Sequence, residues 1–345
     1  MKEDVIRGSL MDRKEIKGFL EHSGIILGVL FLTFVATSVV VEQGLTEIFV
    51  AFFNATFGGW GEFLSLLVKF SFILIATLGL IVAFKTNLFN IGGEGQIITG
   101  IIVGVGICLY FPGPPILVLL LAFIMSFVAG GAYGAIAGVL KARWGVDEII
   151  FTMMQNFVMI GIFYWLIDGP WYGGSGLYPK TDMIPAGTRL PYLEYPLTAI
   201  FIVAIVLVPV VYFLLHKTTI GYEFLVTGRN RTAAFTRGIN VRKVITLSMF
   251  ISAGICALAG TGLVVGEYFR AQPGMSGQYG FFAIATAFMA KQRPELAILS
   301  AFFVATIIQG AIGLTVVGLP ERLGWVLVGV SFIASLIPGI LEGRR

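Results

Sequence analysis

The chain has 345 residues, of which 57% are hydrophobic and only 12% charged, against about 25% charged in a soluble domain. A mean hydropathy of +0.93 with a net charge of +4 excludes an ordinary water-soluble enzyme, a disordered tail and a nucleic-acid binder, because the basic residues sit in short loops between apolar runs. The two cysteines (Cys108 and Cys256, both inside apolar runs) and two histidines, His22 and His216, give no disulfide framework, metal cluster or histidine-based centre. This is the composition of an all-α polytopic membrane protein, long enough for about ten spans of ~20 residues.

Residues 1–22 are polar and mixed in charge and read as a cytoplasmic extension; residues 23–341 read as a single transmembrane domain. The apolar runs, in chain order, are 23–42, 66–84, 96–111, 115–140, 149–167, 195–215, 244–265, 281–290, 296–317 and 326–341. The first lacks the short core and small-residue cleavage site of a signal peptide. Run 281–290 is short, since ten residues cover about 15 Å of a ~30 Å core. Charge arbitrates. If all ten runs cross, 18 Lys and Arg fall on one side and 4 on the other; if 281–290 does not, the split is 15 against 7. The positive-inside rule favours the first, with both termini cytoplasmic. The short run then crosses with help from 273–280 and is expected to be surrounded by helices rather than lipid.

The first outward loop, 43–61, carries no Lys or Arg, and its amphipathic part, 46–53, suits the membrane interface. The longest outward loop, 168–194, contains Gly-Pro-Trp-Tyr-Gly-Gly-Ser-Gly, which is turn chemistry. Gly-rich breaks near 87–96 and 273–280 lie on opposite sides, as inverted repeats with broken helices in a transporter would place them.

Four features carry functional weight. In Thr86–Gln96, three glycines in four positions predict a helix break. Asn87, Asn90, Glu94 and Gln96 beside it form either a polar substrate site or a tight turn at the surface. The basic loop 216–243 is too long for a hairpin connection, and Asn230–Arg237 reads as a short helix with an Ala and Phe face. It either docks into a partner's groove or anchors to anionic lipid. Gly130, Gly134 and Gly138, with Gly100 and Gly104, are spaced for close helix packing, and Lys69 is placed to snorkel from the end of its span. Segment 266–280 combines Glu267, Tyr268, Gln272 and Gln278; aromatic faces and amides suit a nucleobase or sugar, and equally an interfacial belt. There is no Gly-Lys dipeptide, hence no P-loop, and no zincin or nucleophile-elbow motif.

The run Asn87-Leu-Phe-Asn-Ile-Gly-Gly-Glu-Gly-Gln96 resembles the signature of permease subunits of ABC importers for nucleosides and simple sugars. So do Gly145-Val-Asp-Glu-Ile-Ile150 before Met154-Gln155-Asn156, the loop Thr227–Asn240, and Pro273-Gly274 through Gly280 to Pro294. Arg231, Thr236 and Ala290-Lys291 depart from that pattern.

The resemblance implies a transport subunit, itself no enzyme, in the plasma (inner) membrane of a prokaryote. It binds no cofactor; ATP and Mg are used by cytoplasmic ATPase subunits docked at Arg229, Asn230, Ala233, Ala234, Phe235, Arg237 and Gly238. It further implies a second permease, identical or homologous, and an extracytoplasmic substrate-binding lipoprotein. The polar N-terminal extension and first block favour nucleosides over pentoses. The rival readings are an ion-coupled secondary transporter using Glu94 and a scaffold or channel with no energised step.

Overall fold

The computed structural model describes residues 44–174, 178–319 and 326–333, with Gly28 and Val35 besides. The polar extension, run 23–42 and the end of run 326–341 lie outside the described residues. Two compact units are present, Met1–Gly58 with Ile307–Arg345 and Gly59–Thr306. Among the described residues, seven helices are long and apolar enough to cross a membrane.

In the first unit α1, Leu45–Phe57, buries Ile48 and Thr56 and exposes Phe49, Val50, Phe53 and Phe57, the amphipathic helix expected around 46–53. The last turns of α11 (Pro294–Gly313) belong here from Ile307 onward and are followed by a 3-10 turn, Leu314–Val317. Gln309 Nε2 donates to the Ala55 carbonyl at 2.9 Å.

The second unit is built on α2, Trp60–Lys85, and α9, Val241–Leu263. Both are apolar all round, and helices of that kind are buried all round: 89% and 83% of their most apolar stretches lie inside the protein. Around them stand α3 (Gly93–Tyr110), α4 (Pro115–Trp144), α5 (Glu148–Asp168) and α6 (Ile200–Lys217). Of these, α4, α5 and α6 bury under a third of theirs and turn Ile124, Val128, Met154, Phe157, Val206 and Phe213 outward.

Close approach of α9 to α3 and α4 follows from the small-residue ladder. A Cβ on Gly130 or Gly134 would stand 2.4 or 2.3 Å from the Ala257 or Ala253 methyl, and one on Gly100 1.9 Å from the Ala257 carbonyl. Backbones therefore touch where side chains would hold them apart.

Local chemistry sets the boundaries. Pro115 opens α4 at no hydrogen-bond cost, and Gly145 closes it in the left-handed conformation, φ +68°. Asp147 then caps α5 by accepting from the Ile149 and Ile150 amides, so the Gly145–Ile150 block is helix-stop, helix-start punctuation. Run 195–215 is a helix only from Ile200, because Tyr192–Glu194 and Leu197–Thr198 pair as a small antiparallel hairpin around the cis Tyr195–Pro196 bond. Run 244–265 starts earlier, at Val241, and α9 continues as a π turn, Val264–Tyr268. Run 281–290 is α10, Tyr279–Met289. At eleven residues it reaches about 17 Å, and the non-helical segment 269–278 precedes it.

Candidate functional site

The polar centre of the second unit forms where the chain doubles back after α2. Asn87, exposed at φ +54°, closes the helix in the left-handed region: its amide donates to the Phe84 carbonyl and that of Leu88 to Ala83. Asn87 therefore shapes the turn. The Lys85 carbonyl lies where a Cβ on Gly228 would meet it. Asn90 lies beyond the turn, and its Nδ2 donates to Ser252 Oγ at 2.9 Å. Ser252 stands eleven residues, about 16 Å, into α9. The segment after α2 is thus both a turn (86–88) and a re-entry into the bundle (89–92).

Asn90 and Gln96 are fully buried and exchange side-chain hydrogen bonds: Asn90 Nδ2 to Gln96 Oε1 at 3.0 Å, Gln96 Nε2 to Asn90 Oδ1 at 2.9 Å. Asn90 Oδ1 also accepts from the Gly92 amide. A second clamp comes from α5. Asn156 Oδ1 accepts from the Gly95 amide at 2.8 Å, Asn156 Nδ2 donates to the Ile91 carbonyl at 2.9 Å, and Thr152 Oγ1 accepts from the Ile91 amide. Re-entrant backbone leaves groups unpaired by helix, and these side chains satisfy them.

The expected helix break lies between α2 and α3, and the three glycines stand at its end: Gly92 is the N-cap of α3, and Gly93 and Gly95 lie in its first turn. Gly95 is glycine because α5 comes close: a Cβ there would stand 2.9 Å from the Asn156 backbone. Where α10 meets α3, a Cβ on Gly280 would stand 2.2 Å from the Glu94 amide nitrogen.

That last contact joins two helix N-termini. Glu94 lies in the first turn of α3 and Gly280 in the first turn of α10. Glu94 Oε2 accepts from the Gly280 amide at 3.0 Å, and the Ser276 side chain bonds the same carboxyl. Both helix ends present unpaired N–H groups and favour negative charge.

Glu267 is placed apart from this centre. It lies on the π turn with Tyr268, and Lys69 of α2 is the charge acting on it. Lys69 stands eleven residues from Leu80, the α2 residue nearest Gly93, about 16 Å along the helix. Lys69 is half-buried and lies within electrostatic reach of the Glu267 carboxylate. One Glu267 oxygen, Oε2, is buried without a hydrogen bond. Gln272 and Gln278 are half-buried in segment 269–278, Gln278 at φ +56° one residue before α10. That segment is held by the 178–198 loop through amides of Thr181 and Ile184 donating to carbonyls of Ala271 and Phe269, and by the Arg189 guanidinium 4.7 Å over the Phe269 ring.

At the basic end the loop 216–243 folds as two helices, α7 (Thr219–Arg229) and α8 (Arg231–Thr236). The sequence reading found α8 and missed α7, which Thr218 caps. Asn230 caps α8 through the Ala233 amide, and Gly238, φ +81°, closes it. Ala234 is fully buried within the chain and Ala233 half-buried, while Phe235 is 74% exposed; Arg229, Arg231 and Arg237 are exposed beside it. Phe235 therefore presents the apolar surface that the two alanines were expected to share.

The sequence reading singled out Asn90, Glu94 and Gln96 but gave no role to Ser252, Ser276 and Gly280, which bond Asn90 and Glu94, or to Thr152 and Asn156, which bond the backbone of Ile91 and Gly95 between them. The available signal was polar residues inside apolar helices, where each needs a partner.

Known proteins extend this picture. Residues 62–336 match the family model described as branched-chain amino acid transport system / permease component. The chain is 32% identical to the guanosine ABC transporter permease of Bacillus subtilis over 76% of its own length and 78% of that protein. It is 27% identical to the nucleoside ABC transporter permease of Lactococcus lactis over 78% of each. It is 28% identical to the glucose ABC transporter permease of Haloferax volcanii, over 73% of this chain and 70% of that one. No solved structure matches. With the family model covering most of the chain, including the broken-helix centre and the basic α7–α8 end, this protein belongs to the branched-chain amino acid transport system / permease component family.

Proposed function

We propose that the chain is the membrane-spanning subunit of an ATP-driven, binding-protein-dependent importer for nucleosides, with ATP and Mg handled by separate cytoplasmic subunits. The observation that supports the substrate class most directly is the 32% identity to a guanosine permease over three quarters of the chain. Likeness to a glucose permease makes simple sugars the second reading. A second permease, identical or homologous, and an extracytoplasmic substrate-binding lipoprotein complete the assembly in the plasma membrane. The charge distribution along the sequence supports cytoplasmic termini.

A contiguous route supports coupling. An ATPase subunit would grip Phe235 and the arginines around it. α8 follows directly from α7, and Gly228 of α7 lies against the Lys85 carbonyl at the end of α2. The turn there leads to Asn90 and then to the Glu94–Gly280 contact. Displacing α8 would shift the turn and separate the helix N-termini of α3 and α10, which one carboxyl joins. Access then switches at mid-bundle while α2 and α9 stay packed. The pair α2–break–α3 and α9–break–α10 supports inverted repeats, since each break is followed by a helix whose N-terminus reaches the same contact.

The test is co-purification of this chain with its ATPase subunits, followed by ATPase assays with the binding protein loaded with guanosine or glucose. Stimulation by the guanosine-loaded protein is expected. Stimulation by the glucose-loaded protein alone moves the substrate to the second reading, and no ATPase association contradicts the importer.

A further inference from the structure

A groove of about 620 Å³ runs between the C-terminal half of α4 and the N-terminal half of α9. Its inner part is apolar, with Val139, Leu247 and Phe250; its mouth carries Arg143, Arg242 and Lys243, and no carboxylate lines it. The three cations are exposed and the apolar residues half-buried, so charge and grease are separated along one cleft.

Three features point to what fills it. Arg242 and Lys243 occupy the first turn of α9, which holds no acid. Helix dipoles disfavour cations there, so a counter-anion from outside the chain is favoured. Trp144, beside Arg143, is 66% exposed, and exposed tryptophans at span ends mark the headgroup level. From Ala135 to Arg143 the α4 wall is about 12 Å long, which suits a stretch of acyl chain rather than a free anion alone. The cleft exists because Gly131, Gly134 and Gly138 let α4 lie against the α9 surface; a Cβ on Gly131 would stand 2.8 Å from the Phe250 ring.

We propose that this groove is a binding site for an anionic phospholipid. Its phosphate sits among Arg143, Arg242 and Lys243, and one acyl chain lies along Val139, Leu247 and Phe250. A zwitterionic lipid of the same chain length binds more weakly, because its own ammonium opposes the three cations.

The experiment is native mass spectrometry of the full-length protein in detergent, titrated with phosphatidylglycerol, with phosphatidylcholine, or with glycerol phosphate as the soluble headgroup. Phosphatidylglycerol is expected to be retained over phosphatidylcholine, with roughly a fivefold loss per charge removed in R143Q, R242Q and K243Q. Leu247→Trp, which fills the apolar part of the groove and keeps every charge, is expected to lower retention of both lipids; it also serves if the charge variants fold poorly. Equal retention of the two lipids overturns the proposal. So does full competition by glycerol phosphate, which would mean an anion site without a lipid. Unchanged lipid retention in the charge variants combined with loss of the ATPase subunits assigns the rim to protein docking and also overturns it.

Discussion

Gly280 donates its backbone amide to Glu94 Oε2 across 3.0 Å, joining the first turns of two helices that lie 186 residues apart in sequence. Two chain breaks meet at this bond. Each helix end supplies N–H groups without partners of their own, and the acid supplies the acceptor. Glu94→Gln keeps an oxygen in that place and is expected to keep assembly and ATP-dependent uptake, whereas Glu94→Ala loses the bridge and transport falls at least tenfold. Uptake in reconstituted liposomes checks this. Uptake by the parent driven by an imposed proton gradient without ATP, and abolished in Glu94→Gln, would mean ion coupling through Glu94.

The reciprocal Asn90–Gln96 amides are fully buried. Removing one leaves the other unsatisfied, at about 1–3 kcal/mol. Asn90→Ala and Gln96→Ala are each expected to lower the unfolding midpoint, and the double variant to lose clearly less than the sum. Additive losses in a double-mutant cycle on the detergent-solubilised protein would show that the pair is not coupled.

Glycines divide by what a methyl would meet. Gly100→Ala and Gly260→Ala would each place a Cβ 1.9 Å from a carbonyl oxygen, of Ala257 and Ile97. Such overpacking costs on the order of 1–3 kcal/mol. Gly161 lies inside α5 with nothing within 4 Å, so Gly161→Ala is expected to be neutral or to stabilise by up to about 1 kcal/mol through helix propensity. Thermal unfolding of the three variants side by side is the check.

Coupling separates from folding on α8. Phe235 is exposed and Ala234 fully buried. Phe235→Asp is expected to leave the fold intact and to lower ATPase association or uncouple hydrolysis from uptake, while Ala234→Asp buries a charge and is expected to destabilise the chain. If Phe235→Asp transports like the parent, α8 is not the docking element.

How much of this was legible in the sequence depends on the interaction. Long apolar runs gave α2 to α6, α9 and α11 because burial of helix faces is written in composition. The Gly130–Gly138 ladder was read correctly because its spacing alone places three small residues on one face. The start of α3 was not legible: glycine disfavours helix, and only the approach of the Asn156 backbone makes it required at Gly95. The proximity of Lys69 to Glu267 joins residues nearly two hundred positions apart, which no local spacing reveals. On α8 the helix was readable; α7 was readable too, in its Thr218 cap and the three-residue spacing of its buried Gly221, Phe224 and Thr227, but was passed over as part of a basic loop.

ATP-driven nucleoside import through this chain is decided by uptake of labelled guanosine, ribose and glucose into liposomes. The liposomes hold the chain, its partner permease, the ATPase subunits and the binding protein, and uptake is followed with and without ATP. Guanosine is expected to accumulate above its external concentration only with ATP. Guanosine uptake that proceeds equally without ATP would contradict the importer.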